Sequence, residues 1–287
     1  MTSRTGNGAL KRKDAMPAHG PLIAAIQMCS GADVAANLEQ ARHLVEAAVA
    51  RGAGLVALPE NFSFMGMDER AKLEVQEREG AGPIQEFLAH TARQHRIWLV
   101  AGSVPLQASV ADKVRASCLV YDDGGQLKAR YDKIHLFGFE MGEERYFEAR
   151  TIEPGDAIVV VDSPFGRLGL SICYDLRFPE LYRAMQGIDI VLVPSAFTET
   201  TGSAHWETLL RARAIENLVY VLAPAQGGLH ANGRRTYGDS MIIDPWGTIL
   251  DRVASGCGAA VAPIDARHMA KLRASLPALS HRTIRSC

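Results

Sequence analysis

Cysteine is scarce in this chain and scattered. Cys29, Cys118, Cys173, Cys257 and Cys287 make an odd number with no C-x-x-C pair. That spacing argues against a disulfide framework or a cysteine-built zinc site, and it suits a reducing compartment. Long hydrophobic runs are missing as well, because charge, proline or glycine interrupts every candidate before it reaches membrane-spanning length. Nor is there an excess of one charge. Lys and Arg number 31 against 32 Asp and Glu, which leaves no electrostatic case for nucleic acid or a membrane surface. HExxH, Walker A and dinucleotide-binding glycine patterns are absent, and the histidines lack ligand spacing; His90 and His95, five apart, do not share a helix face. No metal and no organic cofactor is expected. The first twenty residues hold basic side chains but no apolar stretch, so residues 1–20 read as a disordered tail rather than a secretory signal, and the expected location is cytoplasmic.

What the chain does contain is an alternation of short apolar strands and helices. LIAAIQM from Leu22 reads as a buried strand. Asp33 to Arg51 follows with helical periodicity: Leu38, Ala41, Val45, Ala48 and Val49 share a face, and Gly52 stops it. Leu55–Leu58 is a second strand, a helix over Pro83–His95 precedes the strand Trp98–Gly102, and RASCLVYD and KARYDK form a hairpin about Asp122–Gln126. Ile158–Val161 and Arg167–Ile172 pair ahead of a helix that begins at Pro179. DIVLVPSA, a helix Ala204–Asn217, VYVLAPAQ, SMIIDPWGTIL and AAVAPID complete the pattern. These units predict one layered α/β domain with mixed sheets over residues 21–287, with no linker dividing it.

Three strand ends carry polar groups that a core would not want. Glu60 follows strand Leu55–Leu58, Lys133 is flanked by apolar Ile134, Leu136 and Phe137, and Cys173 stands where a strand gives way to a loop and helix. Taken singly they read as a surface carboxylate, a snorkelling lysine and a small buried hydrophobe. Together they make a chemically complete set. A cysteine attacks an acyl carbon as thiolate, which a nearby lysine cation favours. A carboxylate can take the thiol proton and return it to a leaving amine. The lysine and the Tyr174 N–H can hold the tetrahedral oxyanion. A generic search for the base would also consider His135 and His205. Ser171 in GLSIC is not a nucleophile elbow, because Cys173 stands where that motif needs glycine.

The contexts LPENF, YDKIHLFGFE and GLSICYDLRFPEL resemble, in this order, the Glu-Lys-Cys triad motifs of the nitrilase superfamily of carbon–nitrogen hydrolases, over a span from about Ile23 to Arg282. The resemblance implies a four-layer αββα sandwich that forms homodimers or larger homo-oligomers. It also implies that Glu60 is the base, with a second glutamate orienting the lysine and substrate. Glu148 best matches that second position, with Glu140, Glu143 and Glu144 as neighbouring alternatives.

PSAFTETTGSAHWETLLRARAIEN and APAQGGLHANGRRTYGDSMIIDPWGTIL resemble the branch of small-molecule amidases related to deaminated glutathione amidase and ω-amidase. This implies a thiol amidohydrolase that cleaves a terminal amide of a small carboxylated substrate through a cysteine thioester, releasing ammonia. Alternatives are an ω-amidase on α-ketoglutaramate, an N-carbamoyl hydrolase or nitrilase with the same triad, and a binding protein without activity. Arg177 can grip a substrate carboxylate or pair with Glu180. Phe197 and Thr201 match pocket-lining positions; packing and a helix cap near Ala204 are their plain alternatives. Arg234, Arg235 and His230 form a basic loop, either solvated or reaching for a longer peptide-like substrate. Asp239 stands where the resemblance leads one to expect histidine. If it faced the pocket, it would repel an anionic substrate.

Overall fold

Strands buried on both faces explain why so much of the sequence reads as continuous apolar runs. In the computed structural model, which describes residues 20–142 and 144–284, β1 (Leu22–Gln27), β2 (Ala53–Ala57), β3 (Trp98–Gln107), β4 (Val114–Tyr121) and β5 (Leu127–Asp132) come first. A hairpin of β6 (Gly138–Met141) and β7 (Glu144–Phe147) follows, then β8 (Val160–Ser163), β9 (Gly166–Leu170), β10 (Ile190–Leu192) and β11 (Tyr220–Ala223). A second hairpin, β12 (Gly227–Leu229) and β13 (Arg235–Tyr237), leads into β14 (Ser240–Ile243), β15 (Ile249–Val253) and β16 (Gly258–Pro263). The first sheet runs β16-β1-β2-β3-β4-β5 and the second β15-β14-β11-β10-β9-β8. Each is parallel at its centre and antiparallel at its flanks. The tail expected over residues 1–20 lies, apart from Gly20, outside the described residues.

The two-residue period of a strand sorts the core into layers. On β1 to β4, Ile23, Leu55, Trp98, Val100 and Cys118 face the second sheet. Their neighbours Ala24, Val56, Leu99, Ala101 and Leu119 face α1 (Val34–Ala50) and α2 (Pro83–His95). On the far side α3 (Pro179–Ala184) and α4 (Glu199–Asn217) cover the second sheet through Leu181, Tyr182, Leu210 and Ala214. The result is a four-layer αββα sandwich of mixed sheets. A short α5 (Ala266–Ser275) follows β16. No helix among the described residues is long and apolar enough to cross a membrane.

Helix α1 is capped by Asp33, whose carboxylate accepts the Ala36 N–H, and α2 spans Pro83–His95 as its periodicity predicts. Helix α4 starts at Glu199, five residues before its expected start at Ala204. Thr198 is its N-cap and accepts the Thr201 N–H, so one extra turn forms over the small and polar residues 199–203. Strand β3 runs on to Gln107 because its second half pairs with Val114–Ser117 after a register shift.

Candidate active site

The C-terminal ends of β2 and β9 and the segment after β5 meet at one edge of the sandwich. There Leu58 extends β2 by donating to the Val100 carbonyl, and the chain turns through Pro59 into Glu60. Gly102 makes this turn fit: a Cβ there would come within 2.2 Å of the Pro59 carbonyl oxygen. The Gln226 amide donates to the Glu60 carbonyl at 3.1 Å, and Ser103 Oγ accepts the Asn61 N–H at 2.8 Å. Glu60 is thereby buried, with its carboxylate turned inward.

Lys133 does not snorkel. It is fully buried, and its Nζ donates to Glu60 Oε1 and to Glu148 Oε2, each at 2.8 Å. Its backbone is pinned on both sides, by Ala116 at 3.0 Å and Gly155 at 2.9 Å. Burial opposes the lysine charge, yet Glu148 and Glu60 outweigh it and hold the ammonium well above its ordinary value. Burial likewise opposes ionisation of Glu148, and the Lys133 and Lys72 cations more than offset it, leaving that carboxyl below its ordinary range. Glu148 also accepts the Phe137 N–H at 2.8 Å. Of the alternatives, Glu140 pairs on the surface with Arg145 and Glu144 lines an outer cleft, while Glu143 falls outside the described residues.

Cys173 opens a 3₁₀ turn, Cys173–Arg177, with φ +50°, a left-handed conformation in which a β-carbon is strained. Its N–H is held by the Pro194 carbonyl at 2.9 Å, and the Ala196 N–H points at its sulfur. The Tyr174 N–H finds no acceptor among the described residues, as an oxyanion donor requires. The thiol lies within electrostatic reach of Glu60, Lys133 and Glu148, and burial, then Glu60, push it well above the ordinary 9.0. Lys133 acts in the direction expected of it, favouring the thiolate, but burial and Glu60 outweigh it.

One residue that the sequence reading passed over ties these segments together. Asp175 is fully buried and accepts from the Ile172 N–H at 2.8 Å, the Tyr131 hydroxyl at 2.7 Å and the His135 N–H at 3.0 Å. It thus clamps the lysine segment to the cysteine turn. Its signal was an acidic side chain two residues after a cysteine at a strand end, a short-range acceptor for a turn. His135 directs Nδ1 to Asp175 at 2.8 Å and stacks on Phe178, and His205 meets Arg177 at 3.3 Å. Neither histidine contacts the cysteine. Ser171 is sealed in the core, donating to the Leu192 carbonyl.

A small chamber of about 10 Å³ opens over Cys173, lined by Phe137, Tyr174, Arg177, Phe197 and Thr201 among others. Arg177 forms no ion pair with Glu180. Its guanidinium lies 5.7 Å from the Tyr174 ring and 5.3 Å from that of Phe197, and it meets no carboxylate among the described residues. Phe197 packs on Trp206, and the Thr201 hydroxyl bonds to that of Thr198 at 2.9 Å, so both line the chamber from fixed positions. Asp239 does not face the chamber. It is buried at φ +60°, with its carboxylate bound by Arg252 (Nε at 2.8 Å), so it brings no repulsive charge to a substrate.

A buried thiol, a lysine held by two glutamates and a backbone N–H without an acceptor thus meet at the strand ends of an αββα sandwich, the kinds of group that hydrolysis of an amide bond calls for. The Carbon-nitrogen hydrolase family model matches residues 22–274, and the chain belongs to that family, whose members act on carbon–nitrogen bonds other than peptide bonds. It is 44% identical over 267 residues to a deaminated glutathione amidase of Synechocystis sp., covering 91% of this chain and 97% of that one. With a deaminated glutathione amidase of Yersinia enterocolitica it shares 40% identity over 264 residues, 90% and 92% of the two chains. Among solved structures, Saccharomyces cerevisiae Nit3, a member of branch 10 of the nitrilase superfamily, superposes with TM-score 0.82 at 30% identity, covering 94% of this chain and 99% of that one.

Proposed function

We propose that this hydrolase cleaves an amide of the deaminated-glutathione type through a Cys173 thioester. One observation carries the reading: Lys133 Nζ lies 2.8 Å from each of two buried carboxylates, Glu60 and Glu148, beside a thiol at a strained turn. Because burial and the neighbouring Glu60 hold the Cys173 thiol above its ordinary value, attack needs a base. Glu60 takes the Cys173 proton as the sulfur–carbon bond forms. Lys133 and the Tyr174 N–H hold the oxyanion, and Glu148 keeps the lysine aimed. As the intermediate collapses, the carbon–nitrogen bond breaks and Glu60 gives its proton to the departing amine. Water, deprotonated by Glu60, then cleaves the thioester and returns the thiol.

Arg177, which has no carboxylate partner, is the natural grip for the acyl group's own carboxylate, with Phe197 and Thr201 shaping the chamber. The leaving group depends on the substrate. A primary amide releases ammonia, whereas an amide of the deaminated-glutathione type releases a small peptide amine. The chain acts as a single catalytic unit in a reducing, cytoplasmic setting. It assembles as a homodimer or larger homo-oligomer, a reading supported by the exposed Trp246, Ile215 and Leu250 around α4 and β15.

The test is a panel of deaminated glutathione, α-ketoglutaramate, an N-carbamoyl amino acid and an aliphatic nitrile, scored by acid product. The expected order of kcat/KM puts deaminated glutathione first. Faster turnover of α-ketoglutaramate would make the enzyme an ω-amidase, and faster turnover of the nitrile would overturn the amide reading.

A further inference from the structure

The reacting centre has two sides. Cys173 faces the chamber with Arg177, whereas Glu60 faces a separate, narrow recess of about 20 Å³ lined by Asn61, Phe64, Lys72, Ser103 and Glu148. If Glu60 protonates the leaving nitrogen, the substituent on that nitrogen lies on the recess side of the centre. Asn61, Phe64, Lys72 and Glu148 also line a larger outer cleft of about 550 Å³ that Asn232 and Arg234 line as well. The cleft is a defined space, because Asn232 Nδ2 donates across it to the Gly66 carbonyl at 2.7 Å.

Four cations line that cleft, and they differ in their partners. Arg145 pairs with Glu140 at 3.2 Å and Arg235 with Glu199 at 3.5 Å. Lys72 and Arg234 enter no ion pair among the described residues, since the neighbouring Glu60 and Glu148 are both taken by Lys133. Of the cleft's outer acids, Asp68 is engaged by the Arg70 and Ala71 N–H groups and Glu69 by that of Phe147, which leaves Glu144 at the rim. Arg234 is locked in place by the Ala196 carbonyl at 2.6 Å and by the Tyr146 ring at 5.0 Å, and its Nε is buried without an acceptor. Burial and the charges of Lys133 and Arg234 push the Lys72 ammonium down, despite the opposing carboxylates. Two half-buried cations that repel each other are stabilised by an anion shared between them.

We propose that Lys72 and Arg234 form a leaving-group subsite that takes the carboxylate at the far end of the departing amine. The proposal rests on the reading of Glu60 as the proton donor to that amine. It divides recognition between Arg177 for the acyl carboxylate and Lys72 with Arg234 for the amine's, and it gives the enzyme a reason to prefer a peptide-like amine over ammonia.

The experiment uses two amides with the same acyl group, one whose leaving amine ends in a free carboxylate and one capped as the carboxamide. Binding to the Cys173→Ala protein is measured by calorimetry, and kcat/KM on the wild type. The free carboxylate should win by about tenfold in both readouts. Lys72→Met and Arg234→Met should each remove most of that ratio, and Lys72→Arg should keep it. Equal affinity for the two ligands, or a ratio unchanged in both Met variants, overturns the subsite. Failure of the triad reading shows separately, as turnover that survives in Cys173→Ala.

Discussion

In the proposed route Lys133 is the residue on which the chemistry turns, because a buried ammonium between two buried carboxylates fixes where each proton can sit. Its charge is shared between Glu60 and Glu148, while burial and Glu60 raise the Cys173 thiol, so the proposed route needs a base. Glu60→Gln should lower kcat by about 10²- to 10⁴-fold, the range for a lost general base. Ultraviolet titration of the wild type against Cys173→Ala should find no Cys173-dependent thiolate step below pH 9. A step near neutrality would mean that the thiol is ionised at rest. Glu148 makes a second prediction. Its folded carboxyl is held below the ordinary 4.5, so its ionised form adds stability above the unfolded carboxylate range and loses it as pH falls through the folded value. Urea midpoints should therefore fall more steeply below pH 4.5 in the wild type than in Glu148→Gln, and parallel curves would contradict the pairing.

Element ends set the geometry of these residues. Gly102 on β3 lets the β2 exit pass so close that a methyl group would strike the Pro59 and Leu58 carbonyls. Gly102→Ala should cost about 1–3 kcal/mol in denaturant unfolding and lower kcat disproportionately by shifting Glu60; wild-type kcat in the variant would show that the turn is not under this constraint. Much at this scale was legible in the sequence. Strands β1 to β4 announce themselves because both faces are buried, and α2 because its apolar face and Pro83 agree. The β6–β7 hairpin was not legible, since its residues are all exposed or half-exposed and bury no apolar face. Helix α5 buries only Met269 and leaves no apolar stripe to read. Asp239 misled for a related reason: its partner Arg252 is thirteen residues away on a neighbouring strand, and a charge with a distant partner looks unpaired.

Across the whole molecule, the sandwich brings together three segments separated by 73 residues between Glu60 and Lys133 and by 40 between His135 and Asp175. Each of Glu60, Lys133 and Cys173 could be named from its local motif, but the clamp by Asp175 and the unpaired Lys72 depend on which strand ends become neighbours, and only the fold supplies that. The two sides of the centre, one with Arg177 and the other with Lys72, likewise exist only once the sheets are stacked. The central claim is a covalent route through Cys173. Rapid acid quench during turnover of a slow amide, followed by mass spectrometry of the peptide that contains Cys173, tests it directly. An acyl mass on Cys173 that forms and decays with turnover is the predicted result. Steady turnover with no acyl mass on that peptide would contradict it.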